Sequence, residues 1–214
     1  MTRYTGYAEI KRAIIAALTP DLLTPQYRAG LKPGDAVETG HCAVASEAFY
    51  YLSGGKDAGF MPVVCGYTVT ADGKMHFGAD RARAERDAFT ASQVSSSDAF
   101  MRETDFLFMR ETPHIFMRET HWWIRGPKDG KRGAGDVFDI TAAQYDAPFP
   151  YEKGHNTGFM QPQQKPSKRA QIVMDRVIEN IGAEKIKAWR RANISAFKKS
   201  HHGKNAPSAQ APRR

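Results

Sequence analysis

The stretch Gly40-His41-Cys42-Ala43-Val44-Ala45-Ser46-Glu47-Ala48-Phe49-Tyr50-Tyr51 constrains this chain most. Ala43, Ala45 and Ser46 are small enough to let a helix lie close to a sheet, and Ser53-Gly54-Gly55 stops it after Leu52. Such a helix begins at a cysteine. Unsatisfied N–H groups at a helix start form the positive end of its dipole. The sequence therefore predicts a lowered pKa for Cys42 and a better nucleophile near neutral pH.

Around this helix the pattern is mixed. Ile10, Ile14, Ala17 and Leu18 recur at helical spacing over 7–18, and Pro20 ends the run. Residues 61–70 read as a strand, Ala71-Asp72-Gly73 as a hairpin turn and 74–77 as the return. Residues 80–91 read as a short exposed helix and 93–98 as a polar loop. His121-Trp122-Trp123-Ile124 and 136–141 read as paired strands across a glycine-rich turn. A short helix capped by Thr141 follows, and 147–165 form an excursion with several prolines and glycines. Helices are expected over 166–181 and 183–197. The fold class is α+β, with N-terminal helices packed on an antiparallel sheet.

Phe-Met-Arg-Glu-Thr occurs three times, at 100–104, 108–112 and 116–120. An even period keeps strand facing, because side chains alternate with period two. The repeat reads as a local duplication in a hairpin or loop and suggests no function. Residues 66–118 are marked as a candidate insertion in a domain spanning 1–182.

With 214 residues, one domain can bury a sizeable core. Two cysteines make no disulfide framework, and a reducing compartment is the simpler reading. The N-terminus lacks a signal-like apolar run, and no stretch approaches the roughly 20 apolar residues of a membrane span. These features point to a cytoplasmic protein without membrane partners. The net charge of +8 is confined to 183–214, where nine Lys and Arg face Glu184 alone. The rest is neutral, so the basic character belongs to a helical, then disordered, tail.

Three residues carry chemistry. Cys42 would attack an acyl carbon, His121 would take its proton, and Asp139 would orient the imidazole. His121 and Asp139 stand 18 residues apart across the turn, which suits cross-strand neighbours. Cys65 lies in a valine-rich strand and reads as structural, while His76 and His114 compete for the base role. No metal-ligand spacing is present, and no cofactor is called for.

Gly-x-Cys at a helix start, then His-Trp, then Asp-Ile-Thr ending a strand resembles the papain-like and transglutaminase-like superfamily. The resemblance implies that fold, with Cys42 as nucleophile, His121 as base and Asp139 as orienting acid. It leaves the peptide or amide substrate open. Papain-like enzymes usually place a Gln shortly before the Cys, and residues 35–41 have none. Gln26 folding back, the Trp122 indole and backbone N–H groups are the oxyanion candidates, with His41 as packing or support. The segments 41–55, 121–124, 139–144 and 151–170 also resemble a group of uncharacterised tailed-bacteriophage proteins. That likeness covers about half the chain, skips most of 66–115 and would place the protein in the host cytoplasm.

Two further features bear on partners. Pro166-Ser167-Lys168-Arg169-Ala170 opens a helix, and Ser167, Lys168 and Arg169 could form an anion pocket there. This raises a third reading, a hydrolase for a nucleotide-like substrate. Trp189 with Arg190 and Arg191, then Phe197 with Lys198 and Lys199, interleave aromatics with bases and could touch nucleic acid. The rival to an enzyme is thus a non-catalytic accessory protein that binds nucleic acid or a host protein through 183–214.

Overall fold

The computed structural model describes residues 4–70, 73–95, 117–159 and 165–202. The fold is α+β. Helices α1 (Tyr7–Ala17), α2 (Pro25–Ala29) and α3 (Cys42–Leu52) precede the first strand. Then come β1 (Met61–Val69), β2 (Met75–Phe77), α4 (Gly78–Ser95), β3 (Met117–Arg125), β4 (Val137–Phe138) and β5 (His155–Asn156). Helices α5 (Lys168–Ile181) and α6 (Ala183–His202) close the order. Among the described residues no helix is long and apolar enough to cross a membrane.

The sheet is antiparallel, with strands in the order β2-β1-β3-β4. β1 is its centre. One edge pairs with β3 along its whole length, from Met61↔Arg125 to Val69↔Met117. The other edge is shared between β2 at Tyr67–Val69 and β5 at Val63–Val64. The candidate insertion 66–118 cuts through this ladder: Gly66 pairs with Thr120 and Tyr67 with Glu119. Both ends of that segment therefore belong to the sheet. The first two repeat copies lie outside the described residues. The third runs into β3 through Met117–Thr120, as an even period allows.

Two apolar clusters hold the layers together. The larger joins Ile10 and Ile14 of α1 to Ala45, Phe49 and Leu52 of α3, Val173 and Val177 of α5, and Phe60, Ile124, Phe138 and Ile140. Each large side chain buried there contributes about 1.5–3 kcal/mol. Phe49 and Phe138 stack with ring centres 5.5 Å apart. The smaller cluster joins Val63, Cys65 and Tyr67 of β1 to Trp123 of β3 and to Phe149.

Four expectations are corrected. The exposed helix expected at 80–91 spans Gly78–Ser95, taking in the start of the loop expected at 93–98, and one face is held to the sheet, where Ala84 is buried and Thr68 of β1 donates to Glu85. The excursion 147–165 contains a strand: β5 takes the edge of β1 that the short β2 leaves free. Thr141 caps no helix; it precedes a 3₁₀ turn, Ala142–Gln144, and its hydroxyl goes elsewhere. Finally, residues 183–202 are no appendage. Ile186 is buried in the larger cluster, and buried Asn193 accepts from the Thr5 N–H and donates to the Ser53 carbonyl.

Glycines make the docking of α6 close. Gly59 has φ 77°, and a Cβ there would stand 2.6 Å from the Phe197 ring and 2.7 Å from Pro127. Gly59→Ala combines left-handed strain with overpacking and is expected to cost about 2–4 kcal/mol. Gly34→Ala, at φ 95° with nothing within 4 Å, carries the strain alone, about 1–2 kcal/mol. Urea unfolding midpoints compare the two; equal losses would mean that α6 does not rest on Gly59.

Candidate active site

The site begins with an edge. β4 pairs with β3 only at Ile124 and Arg125, so the backbone of β3 before that point needs another partner. The first turns of α3 supply it. The Cys42 thiol donates to the Thr120 carbonyl at 3.5 Å, and the Ser46 hydroxyl donates to the Trp122 carbonyl at 2.9 Å. The Trp122 N–H lies near enough to the Cys42 sulfur to pull its pKa down. The small residues of α3 permit this approach.

His121 lies between those two contacts, opposite Cys65 in the β1 register. Its side chain is fully buried. The ring packs against Phe149, Tyr145 and Trp123, with centre distances of 4.6, 4.9 and 5.7 Å. Asp139 follows β4 directly and brings its Oδ2 to 2.8 Å from His121 Nε2. The expected carboxylate–imidazole pair therefore forms.

Asp139 is satisfied on both oxygens. Tyr151 donates its hydroxyl to Oδ2 at 2.8 Å, and Thr141 donates its N–H to Oδ1 at 2.9 Å and its hydroxyl at 3.3 Å. Burial alone would raise this carboxyl's pKa. The His121 bond and, when the ring is protonated, its charge, then the Tyr151 and Thr141 bonds, outweigh it and hold the pKa below the usual value. An acceptor at Nε2 assigns the imidazole proton to that nitrogen and leaves Nδ1 as an acceptor. Gln144 donates to it: its Nε2 lies 3.3 Å from His121 Nδ1 and also donates to the Thr141 hydroxyl at 2.9 Å.

The thiol departs from expectation. Burial pushes the Cys42 pKa up to about 12, although the N–H groups of Trp122 and Ala43 pull it down. The charges of Glu119 and Asp139 add to the rise. The helix start does lower the value, but desolvation is the larger effect. Cys42 rests as a neutral thiol, and among the described residues no hydrogen bond joins it to His121.

The other sequence candidates are distributed as follows. Gln26 is exposed on α2 and is not brought to the thiol. The Trp122 indole stacks on Phe159 at 5.5 Å, so at the sulfur this residue offers its backbone N–H instead. His41 is buried with its ring between the Thr39 and Thr19 carbonyls, each 3.1 Å away, and anchors the loop entering α3. Cys65 approaches the Lys153 carbonyl at 3.6 Å. His76 meets Thr70 on β2, away from the site. His114 lies outside the described residues. Among the described residues no group of three or more ligating side chains could hold a metal ion. Gln144 and Tyr151 were not anticipated. No local pattern marks either: both reach the pair through the folding of the loops after β4.

The anion pocket at 167–169 is corrected. Ser167 caps α5 by accepting from the Ala170 N–H at 3.2 Å. The anion at this helix start is the protein's own Glu47, which accepts from the Ser167 N–H at 2.8 Å and the Ser167 hydroxyl at 2.6 Å. Lys168 is exposed, and Arg169 donates to the Leu22 carbonyl. The aromatic residues of α6 are also committed. Trp189 packs over Gly6 beneath Lys185, and Phe197 packs on Gly59.

Comparison with protein-family models, with curated proteins and with solved structures finds no match.

Glu47→Ala would leave the half-buried start of α5 without its acceptor and is expected to cost about 1–2 kcal/mol. Added sulfate should recover part of the loss in the variant and raise the unchanged protein's melting temperature far less; equal effects would refute this assignment. For Asp139 the folded pKa lies below the unfolded one. Its stabilisation is therefore present above the ordinary value of 3.8 and is lost as pH falls through the folded value. Asp139→Asn should remove that acid-side dependence from urea unfolding measured between about pH 2 and 6.

Proposed function

We propose that this chain is a cysteine-dependent acyl-transfer enzyme, an amidase, peptidase or transferase of the papain-like or transglutaminase-like type. The observation that carries the proposal is the buried His121–Asp139 pair at 2.8 Å on the strand that α3 covers with Cys42. A carboxylate this fully hydrogen-bonded holds the imidazole in one tautomer, with a basic nitrogen turned away from it. The likeness to tailed-phage proteins belongs to the same reading and rests on the sequence motifs.

The chemistry follows from the groups present. Cys42 exchanges its bond to the Thr120 carbonyl for one to His121 Nδ1, and Gln144 swings off that nitrogen. The thiol proton passes to Nδ1 as sulfur attacks the acyl carbon. Asp139 stabilises the charged ring that results. The N–H groups of Trp122 and Ala43 at the sulfur, with the released Gln144 amide, offer donors to the oxyanion. The proton then leaves with the amine as the C–N bond breaks, giving a thioester. Water or a second amine, deprotonated by His121, resolves it and restores the thiol. The exchange at Gln144 gates the reaction, because a neutral thiol without the base is a poor nucleophile.

The test uses p-nitrophenyl acetate and intact mass under acid quench. An acetyl adduct on Cys42 is expected, absent in Cys42→Ala and formed about 10²–10⁴-fold more slowly in His121→Ala. In His121→Ala the residual rate should climb about tenfold per pH unit through pH 10, because the thiol pKa is about 12. An adduct that persists without Cys42, or a rate indifferent to His121, would refute the proposal. The buried, neutral thiol would then favour a non-catalytic accessory protein.

A further inference from the structure

A groove of about 550 Å³ lies at the far end of α3 from Cys42. Tyr50, Tyr51 and Phe159 supply its rings, and Lys56, Arg132 and Arg190 supply its cations. Among the described residues Asp57 is the one carboxylate in its lining. Glycines 54, 55 and 158 leave backbone open between the rings. The mechanism above uses none of these residues.

The cations are held rather than scattered. Arg132 donates to the Phe60 carbonyl at 2.6 Å and to the Tyr50 hydroxyl at 3.3 Å. These bonds fix its guanidinium plane and leave further N–H groups for a ligand. Arg190 reaches the groove because α6 is docked: its own carbonyl and Ile194 lie against the Gly54 wall. Exposed Arg191 and Lys198 lie three and four residues to either side of Ile194, on the same helix face. They extend the positive rim past the groove.

The aromatic side is ordered too. Phe159 stacks on Trp122 at 5.5 Å and meets Tyr50 edge-on at 5.6 Å. Tyr51 stands edge-on to Tyr50 at 5.2 Å and is half-exposed. Flat rings among fixed guanidinium and ammonium groups match a chain of bases joined by phosphates. An acidic peptide would satisfy the cations but give the rings nothing to stack. A groove of this volume suits one or two nucleotides and excludes a duplex.

We propose that this groove binds single-stranded nucleic acid, with Lys56, Arg132 and Arg190 on phosphates and Tyr51 and Phe159 against bases. The site differs from the one expected of 183–214 alone, where Trp189 and Phe197 were to do the stacking. It is distinct from the thiol chemistry: among the described residues no hydrogen bond or ring contact joins a groove residue to Cys42, His121 or Asp139, and Phe159 meets the indole of Trp122, not its backbone N–H.

Fluorescence anisotropy of the full chain with labelled (dT)12 tests it over a salt series. Tyr51→Ala and Phe159→Ala should each weaken binding about tenfold. The pair Lys56→Glu, Arg190→Glu should weaken it at least tenfold and lower the log–log salt slope by about 1.4, at about 0.7 per phosphate contact. Lys168→Glu, the charge change of one member of that pair placed on α5 instead, should alter affinity less than twofold. Circular dichroism verifies folding, and Tyr51→Ala decides the matter if Phe159→Ala unfolds. Absence of binding would overturn the proposal. So would a blunt duplex bound as tightly, a loss in Lys168→Glu equal to the groove variants, or poly-glutamate competing as well as (dT)12.

Discussion

The unpaired edge of β3 is the constraint on which the rest depends. A strand inside a domain cannot leave its backbone groups unsatisfied. β4 is two residues long and cannot cover them. The start of α3 does, through a thiol and a hydroxyl that donate to its carbonyls. This contact sets the height of α3 on the sheet and places Phe49 and Leu52 in the main core. It also puts Cys42 beside the strand that carries His121. The same contact explains why the thiol is quiet: a sulfur close enough to bond the strand is withdrawn from water.

Two buried carboxylates show how such a core tolerates charge. Asp139 gathers donors from an imidazole, a phenol, a hydroxyl and a backbone amide. Glu47 takes the N–H and hydroxyl of the residue capping α5. Each ties segments distant in sequence, Asp139 to β3 and Glu47 to a residue 120 positions away. A buried charge is costly unless every lone pair is served. Asp139 accepts four hydrogen bonds and Glu47 one on each oxygen, and these bonds select one arrangement of the helices on the sheet.

Docking of α6 changes what the net charge means. As a tail, the cations of 183–214 would be a solvated excess. Packed through Ile186 and Asn193, the helix turns Arg190 toward the end of α3 and Arg191 and Lys198 along its rim. The charge becomes a wall with a direction. Its aromatics anchor it, and the rings left for a ligand come from α3 and from the loop after β5.

Helices α1, α3 and α5, the β1–β2 hairpin and β3 were legible from periodicity and from Gly and Pro stops, because local burial patterns encode them. The meeting of His121 and Asp139 was legible in outline, since a glycine-rich turn folds the two segments back on each other, but not as cross-strand neighbours: β4 pairs Phe138 with Ile124, and Asp139 reaches His121 from beyond the strand's end. The strand β5 was hidden, because its two residues have no pattern of their own and pair only where β2 ends. Gln144 was hidden as the occupant of Nδ1 and Tyr151 as a donor to Asp139, because both arrive through loop geometry. The anion at the start of α5 was foreseen as a kind of group; that it is Glu47 was not, because Glu47 looks solvent-facing until α5 lies across it. Sequence by itself determined which chemical groups exist and which local elements carry them. Tertiary structure decided their state, because desolvation depends on every neighbour at once and here it outweighs the dipole that Cys42 inherits from its own helix.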